Sequence, residues 1–371
     1  MKRFLECLLP TTACNLKCSY CYVIQEKREP LSLRLKYSPK HIGKALSIER
    51  LGGRSYISIT ASGETLIPME IVDIAYYILE QGHFLNLTTN GTISTRFEQL
   101  MKLPEDYRER LHFSFSFHYC ELYKKGLLDQ FFANVDRVKA AGCSFLVQLN
   151  PVDEYFDKWN QILDLVETRV GAKPQLAVTR DESTVPFTFF TKKKPSEYIA
   201  LANEAKSPLF DFTLKNFNIS RHEFCYAGDW SGKLYLDTGL LLPCYAVKRG
   251  QNIFDNLDQP IKFEAIGRNC HMSYCVNSSH FMSLGVIPTT LTPSYADLRD
   301  RPEAGWYSKR MRAFLDERLY HDNQQYPIGR RAFVNFKYFV LRLLQITVRV
   351  LKKVVKAIIP NFVMKFFRRN V

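Results

Sequence analysis

The feature that most restricts the fold is a rhythm. From residue 3 to about residue 180, short apolar runs rich in β-branched and aromatic residues alternate six times with stretches of helical periodicity. The strand-like runs are 3–10, Ser55–Thr60, Phe84–Thr88, His112–Phe117, Ser144–Leu149 and Pro174–Thr179. Helical patterns fill Ser38–Leu51, Ile67–Gln81, Thr95–Leu103, Leu127–Ala141 and Asp157–Val170. The first of these has Ser38 placed to cap it, Pro39 at its first position and Gly52-Gly53 beyond its end. Strands alternating with helices predict a parallel α/β sheet, and right-handed crossovers wind it into a barrel or part of one. In such barrels the chemistry sits at the C-terminal ends of the strands.

Polar residues collect at those ends. The first strand runs into Cys14-Asn-Leu-Lys-Cys18-Ser-Tyr20-Cys21, and the second ends on Ala61-Ser62-Gly63-Glu64. Thr89-Asn90-Gly91 follows the third strand, Ser116-Phe-His118 the fourth and Gln148-Leu-Asn150 the fifth. One such cluster carries little information, but five in succession predict a lined site. Three cysteines at spacings of four and three suit a metal or cluster better than a disulfide. Three thiolates on one loop would hold three irons of a [4Fe–4S] cube and leave the fourth open, as catalytic metal sites keep an open position. A zinc knot lacking its fourth ligand, or chance spacing, gives the same pattern.

The Cys14-x3-Cys18-x-Tyr20-Cys21 loop resembles the signature of radical S-adenosylmethionine enzymes, and the motif order over residues 3 to about 180 matches that family. The resemblance implies that Cys14, Cys18 and Cys21 hold a [4Fe–4S] cluster whose open iron binds S-adenosylmethionine. On reduction by a donor such as flavodoxin or ferredoxin, the cofactor splits to methionine and a 5′-deoxyadenosyl radical that abstracts hydrogen from the substrate. Ala61-Ser62-Gly63-Glu64 stands where the family usually has Gly-Gly-Glu-Pro; Ser62 and Thr65 depart from it and the acid is kept. By resemblance, Gly63 and Glu64 meet the methionine ammonium, a small backbone allowing close approach and a carboxylate pairing with the cation. Glu64 as a plain cap of the following helix is the alternative. Tyr20, Ser62, Thr89, Asn90, Ser116, Gln148, Asn150 and Arg180 are the further cofactor contacts that the family pattern implies. For Thr89-Asn90-Gly91 an ordinary Asn-Gly turn competes, and for Arg180 a surface salt bridge. His118 is either a substrate contact or proton carrier, or a hydrogen-bonded core histidine.

Past about residue 181 the rhythm fades, and from Phe224 turns, aromatics and cysteines dominate. Cys225-x13-Gly239-x4-Cys244, followed by Cys270-x4-Cys275, is similar to the SPASM/twitch auxiliary domain of the same superfamily. Four cysteines instead of about seven fit the shortened form, with one closed [4Fe–4S] cluster able to accept or relay an electron. A structural zinc site is the alternative, and His271 a neighbour more than a ligand. Cys7, Cys120 and Cys143 lie outside both patterns and read as buried thiols. The expected organisation is a partial (β/α)6 barrel over 1–208, an auxiliary iron–sulfur domain over 209–290, an extension of surface-packed loops and helix over 291–327, and a basic amphipathic tail over 328–371.

Charge isolates that tail. The chain carries 51 Lys and Arg against 37 Asp and Glu, but residues from Ile328 onward hold 11 Lys and Arg and no acid. A nucleic-acid reading therefore has little support in the body, where no basic-aromatic groove pattern recurs. Arg342, Gln345, Arg349, Lys352, Lys353 and Lys356 fall within an arc of about 100° on a helix, with Phe, Val, Leu and Ile around the rest. Such a stripe predicts a helix lying in the interface of an anionic membrane, with Phe362–Arg369 as a second short piece after Pro360. Docking on the chain's own body or on a partner protein is the alternative. The N-terminus has neither a long apolar run nor a cleavage site, which predicts a reducing, cytoplasmic location at the inner face of the membrane.

The expectation is a radical enzyme carrying out a net oxidation with help from its auxiliary cluster. The membrane tail favours a glycan, polyol or lipid-linked sugar as substrate. A ribosomally made peptide competes, although no extra domain able to grip a leader is legible. A non-catalytic iron–sulfur or zinc scaffold at the membrane is the reading of another class, and Glu64 with the strand-end groups argues against it.

Overall fold

The computed structural model describes residues 2–184 and 186–358, without the side chains at 342, 345, 349 and 352–358. Six parallel strands follow the alternation: β1 (Arg3–Leu9), β2 (Ser55–Ala61), β3 (Phe84–Thr89), β4 (Leu111–Ser116), β5 (Ser144–Leu149) and β6 (Gln175–Leu176). They lie in chain order, as right-handed βα units on one curved sheet require. β6 is shorter than the pattern predicts. Beyond it a two-stranded antiparallel pair, β7 (Arg180–Asp181) and β8 (Thr188–Phe189), replaces the rhythm.

Register explains which residues meet. Glu6, Ser58, Asn86, His112 and Ser144 stand side by side across five strands, so the period of two puts all of them on the concave face. Their apolar neighbours Leu5, Ile57, Leu85, Phe113 and Phe145 face the helices and are fully buried. The interior row is joined by hydrogen bonds: Asn86 Nδ2 donates to Ser58 Oγ (2.9 Å), and Ser114 Oγ donates to Asn86 Oδ1 (2.9 Å).

The helices differ from expectation where local chemistry intervenes. Ser38–Leu51 is two helices, Pro39–Ala45 and Ile48–Leu51, because Ser47 caps a second start by accepting from Arg50 N. The next helix begins at Ile71, not Ile67, since Pro68 disfavours helical geometry in the residue before it.

Two larger differences concern the C-terminal half. The sheet does not stop at β1: β9 (Ser231–Tyr235) pairs with it in parallel, and β10 (Leu240–Leu242) and β11 (Gln251–Asn252) continue antiparallel. One nine-stranded sheet thus runs from the barrel into the segment with the second cysteine set. The segment 291–327 is not surface-packed. It closes the bottom of the barrel, where Trp306 is fully buried and its indole donates to Val170 O (3.0 Å), and Phe314 stacks on Phe84 at 3.8 Å. An open barrel exposes the apolar rims of its strands, and this floor covers them.

Candidate functional site

The loop after β1 is held at the mouth of the barrel by groups from four strand ends. Glu64 N donates to Ala13 O (2.8 Å). Asn90 Nδ2 donates to Asn15 Oδ1 (2.8 Å) and approaches Cys14 Sγ at 3.9 Å. Beyond β4, Glu121 accepts from Lys17 N (2.9 Å); beyond β5, Glu154 accepts from Ser19 Oγ (2.5 Å). Tyr20 is buried, with its hydroxyl 2.6 Å from His118 Nδ1 and 3.0 Å from Tyr155 OH. The three cysteines are therefore presented on a backbone clamped from every side.

Gly63 is where the β2 turn crosses this loop. A Cβ there would stand 2.1 Å from Ala13 O, so only glycine permits the contact. The next residue, Glu64, is 2% exposed and accepts three hydrogen bonds: from Thr89 Oγ1 (2.6 Å) and Leu66 N (2.9 Å) on one oxygen, and from Asn90 N (2.7 Å) on the other. Burial raises its pKa, while the bonds from Thr89, Asn90 and Leu66 oppose that rise. Glu64 does not cap the following helix, whose N-cap is Glu70. It ties the ends of β2 and β3 together beneath the cysteine loop.

A cavity of about 510 Å³ opens above these groups. Its lining includes Cys14, Cys18, Tyr20, Cys21, Ser62, Gly63, Glu64, Thr89, Asn90, Ser116, His118 and Asn150. The sequence-predicted residues thus converge on one space, with two exceptions. Gln148, on β5, is not part of its lining. Arg180 is drawn away by Tyr274 OH (3.0 Å), Val276 O (3.1 Å) and an ion pair with Glu182 (2.6 Å). Burial, with Cys21 and Cys14 nearby, pushes the Cys18 thiol up to about 12, and burial raises Cys14 as well. Burial also holds His118 down at about 4, so its ring is neutral at pH 7 and available for the bond with Tyr20.

The second cysteine set gathers in the segment that β9 and β10 join to the sheet. Burial raises Cys225 well above the usual thiol value, with Cys244, Cys275 and Cys270 all close enough to add to the effect. Burial likewise holds Cys244 at about 11 and Cys275 at about 12. Backbone N–H groups already point at two of the sulfurs: Ala227 N at Cys225 (3.5 Å) and Ala246 N at Cys244 (3.3 Å). Such donors are those a bound thiolate uses. Among the described residues no three His, Cys, Asp or Glu side chains stand at metal-ligating distance. Thiols at both places are donors of the kind that hold an iron–sulfur group. His271 is exposed, and of the remaining thiols Cys7 and Cys143 are buried and Cys120 half-buried.

On β1 stands a group that the sequence reading passed over. Glu6 on β1 is buried and accepts from Tyr245 OH (2.7 Å) and from Asn277 Nδ2. Lys233, its register neighbour on β9, places Nζ 4.4 Å from the Tyr245 ring and 5.0 Å from the Tyr235 ring. Among the described residues it has no ion-pair partner. Burial raises the Glu6 pKa, against the pull of Tyr245, Lys233 and Asn277. Tyr22 lies within electrostatic reach of Cys21 on one side and of Glu6 and Tyr245 on the other, and Tyr245 follows Cys244. A legible signal existed: an acid inside the otherwise apolar run Phe4–Leu9 of the first strand.

No curated protein matches the chain. Solved structures similar to it include Streptococcus suis SuiB bound to S-adenosylmethionine, at 16% identity and a TM-score of 0.49, covering 69% of this chain and 65% of that one. The chain therefore spans about two thirds of the length of SuiB. Also similar are anSMEcpe with bound AdoMet and Cp18Cys peptide (14% identity, 94% and 100% covered, TM-score 0.47) and BtrN in complex with AdoMet and 2-DOIA (15%, 87% and 90%, 0.36). Residues 8–166, which contain the three-cysteine loop, the Gly63-Glu64 turn and the ends of β2 to β5, match the Radical SAM superfamily model. The chain carries a Radical SAM superfamily domain.

Proposed function

We propose that this chain is a radical S-adenosylmethionine enzyme with an auxiliary cluster, acting on a hydroxyl-rich substrate in a net oxidation. The observation that carries the reading is the Gly63-Glu64 turn. It lies against the cysteine loop at Ala13 and presents a buried, triply anchored carboxylate to the cavity that Cys14, Cys18 and Cys21 line.

In this reading Cys14, Cys18 and Cys21 hold a [4Fe–4S] cluster, and the cavity takes S-adenosylmethionine. When bound and reduced by an external donor such as flavodoxin or ferredoxin, these groups would supply the radical chemistry that takes a hydrogen atom from the substrate. The protein's part is placement. Thr89, Asn90 and Leu66 fix the Glu64 carboxylate by three hydrogen bonds, so that its remaining lone pairs meet an ammonium group. Asn90 joins that carboxylate to the cysteine loop through Asn15. Ser116 and Asn150 offer hydroxyl and amide groups to the same cavity. Tyr20 and His118, bonded to each other, fix the loop's inner side.

Cys225, Cys244, Cys270 and Cys275 would hold a second cluster, which would take the second electron as the substrate radical loses a proton to solvent, so that the net oxidation balances. In this reading the substrate enters the cavity that Cys14, Cys18 and Cys21 line from the side of Tyr22. Glu6 as acceptor, Lys233 as donor and the rings of Tyr22, Tyr235 and Tyr245 as stacking faces suit a glycan, a polyol or a lipid-linked sugar better than a peptide. A ribosomally made peptide is the competing reading.

Anaerobic reconstitution tests the core of the proposal. About eight irons per chain and release of 5′-deoxyadenosine with dithionite are expected. Cys14→Ala should lose about half the iron and all of that release, and Cys225→Ala should lose the other half. Iron that disappears entirely with Cys225→Ala and stays complete with Cys14→Ala would remove the first assignment. Incubation with polyol and peptide libraries, read as substrate-stimulated 5′-deoxyadenosine release, separates the two substrate classes.

A further inference from the structure

Among the described residues, the helix Ile328–Ile358 meets the body by one side of its first turns. Val334 is buried there, Asn335 Oδ1 accepts from Arg268 N (2.9 Å), and Lys337 pairs with Glu264. The seat is Gly267, where a Cβ would stand 2.4 Å from Asn335 Oδ1; its backbone pairs in turn with that of Cys225. At 100° per residue Val334, Asn335 and Tyr338 share one side of the helix, and Phe333, Phe336 and Phe339 share the other. The apolar side is turned outward from the beginning. Its residues, from Phe333 to Leu351, are 48–66% exposed.

Carried forward along the same helix, the body-facing side is the one on which positions 342, 345, 349, 352, 353 and 356 fall. Those positions hold three lysines, two arginines and a glutamine. The helix therefore leaves the body with a basic stripe continuing its docked side and an apolar face opposite. Docking on the chain's own body would need the reverse, with the apolar face inward. No described helix is long and apolar enough to cross a membrane.

We propose that this helix lies in the interface of an anionic lipid bilayer, with its apolar face among the acyl chains and the body on the aqueous side. A helix in that position needs its polar side toward water and its cations at the headgroups, and the body sits on that side. Charge names the occupant: 11 Lys and Arg without an acid from Ile328 onward complement anionic lipid, and an apolar face of exposed Phe, Leu and Val meets the acyl boundary. The Gly267 seat places the segment containing Cys225 nearest the lipid. The proposal stands whether or not the catalytic reading holds.

Flotation of the full chain with vesicles of phosphatidylcholine alone, or with about a third phosphatidylglycerol, tests it. The chain should float with the mixed vesicles, and binding to neutral vesicles should be at least about tenfold weaker. Lys352→Gln with Lys353→Gln should weaken binding to the mixed vesicles about thirtyfold, and high salt should do likewise. Phe339→Glu with Leu343→Glu should abolish flotation while far-UV circular dichroism of the body is unchanged. Equal flotation of this variant and the parent would overturn the proposal. So would a parent that fails to float and doubles its mass with concentration, because a second copy would then cover the apolar face.

Discussion

Replacing Gly63 with alanine is the most direct probe of the site. The added Cβ would stand 2.1 Å from Ala13 O, 2.7 Å from Ala13 C and 2.7 Å from Thr12 C, all of them backbone atoms. Cβ atoms essentially never approach neighbours closer than 3.0 Å, and backbone cannot swing aside as a flexible side chain does. The cysteine loop and the β2 turn must therefore separate by about 1 Å, enough to break the bond from Glu64 N to Ala13 O and to shift Glu64 relative to Cys14, Cys18 and Cys21. A misplacement of that size costs roughly a hundredfold in rate where reacting groups must align. Losing one backbone hydrogen bond at a part-exposed loop costs only about 1 kcal/mol in stability. The expected outcome is a split. Gly63→Ala should unfold within a few degrees of the parent, yet release 5′-deoxyadenosine from S-adenosylmethionine about a hundred times more slowly. Anaerobic reconstitution followed by chromatography of the nucleoside, beside a thermal melt, measures both. A variant with the parent's rate would refute the idea that this crossing sets the position of the carboxylate. A variant that simply unfolds would show that the contact belongs to the core.

Other perturbations separate the site from its support. Glu64→Gln turns an amide NH2 toward a donor, since Thr89, Leu66 and Asn90 all donate to this side chain. It should cost about 1–3 kcal/mol in a urea titration and raise the KM for S-adenosylmethionine at least about tenfold. His83 is fully buried, with Nε2 donating to Leu46 O and Nδ1 accepting from Ser55 N, and burial holds its pKa at about 4. The unfolded chain takes a proton there near pH 6.5 and the folded chain only near pH 4. Stability should therefore fall as pH drops through that window, by about 1.4 kcal/mol at pH 5.5, and His83→Gln should remove that share of the slope. Trp306→Ala removes the buried ring that closes the barrel floor and the bond to Val170 O. A loss of about 3–5 kcal/mol in the unfolding free energy from a urea titration is expected, and a loss under about 1 kcal/mol would show that the floor is dispensable.

Some of this arrangement was legible in the residues. Strand and helix periodicities are local, so the order of β1 to β5 and their polar ends could be read directly, as could Ser38 as a cap. The cysteine spacings are local as well, and so is the Asn90-Gly91 turn, where Gly91 has φ of +75° and a Cβ would meet the Phe131 ring at 2.6 Å. Arg180 misled because its sequence position at a strand end says nothing about Tyr274 and Glu182, which hold it elsewhere. The short β6 and the split after Ala45 misled because hydrophobic pattern fixes an element's existence better than its ends.

By itself, then, the amino-acid sequence determined a parallel sheet with two sets of thiols, the acid at position 64 and an amphipathic tail whose charges lie along one stripe. Only the tertiary structure decided that β9 pairs with β1, which carries the sheet from one cysteine set toward the other. It also decided that Glu6, Lys233 and Tyr245 meet, that 291–327 is a floor, and that the tail docks through Val334, Asn335 and Lys337. The physical reason is the same in each case. A buried strand or amphipathic helix records in its pattern that a face will be covered, while the choice of partner is made by contacts hundreds of residues away in the chain.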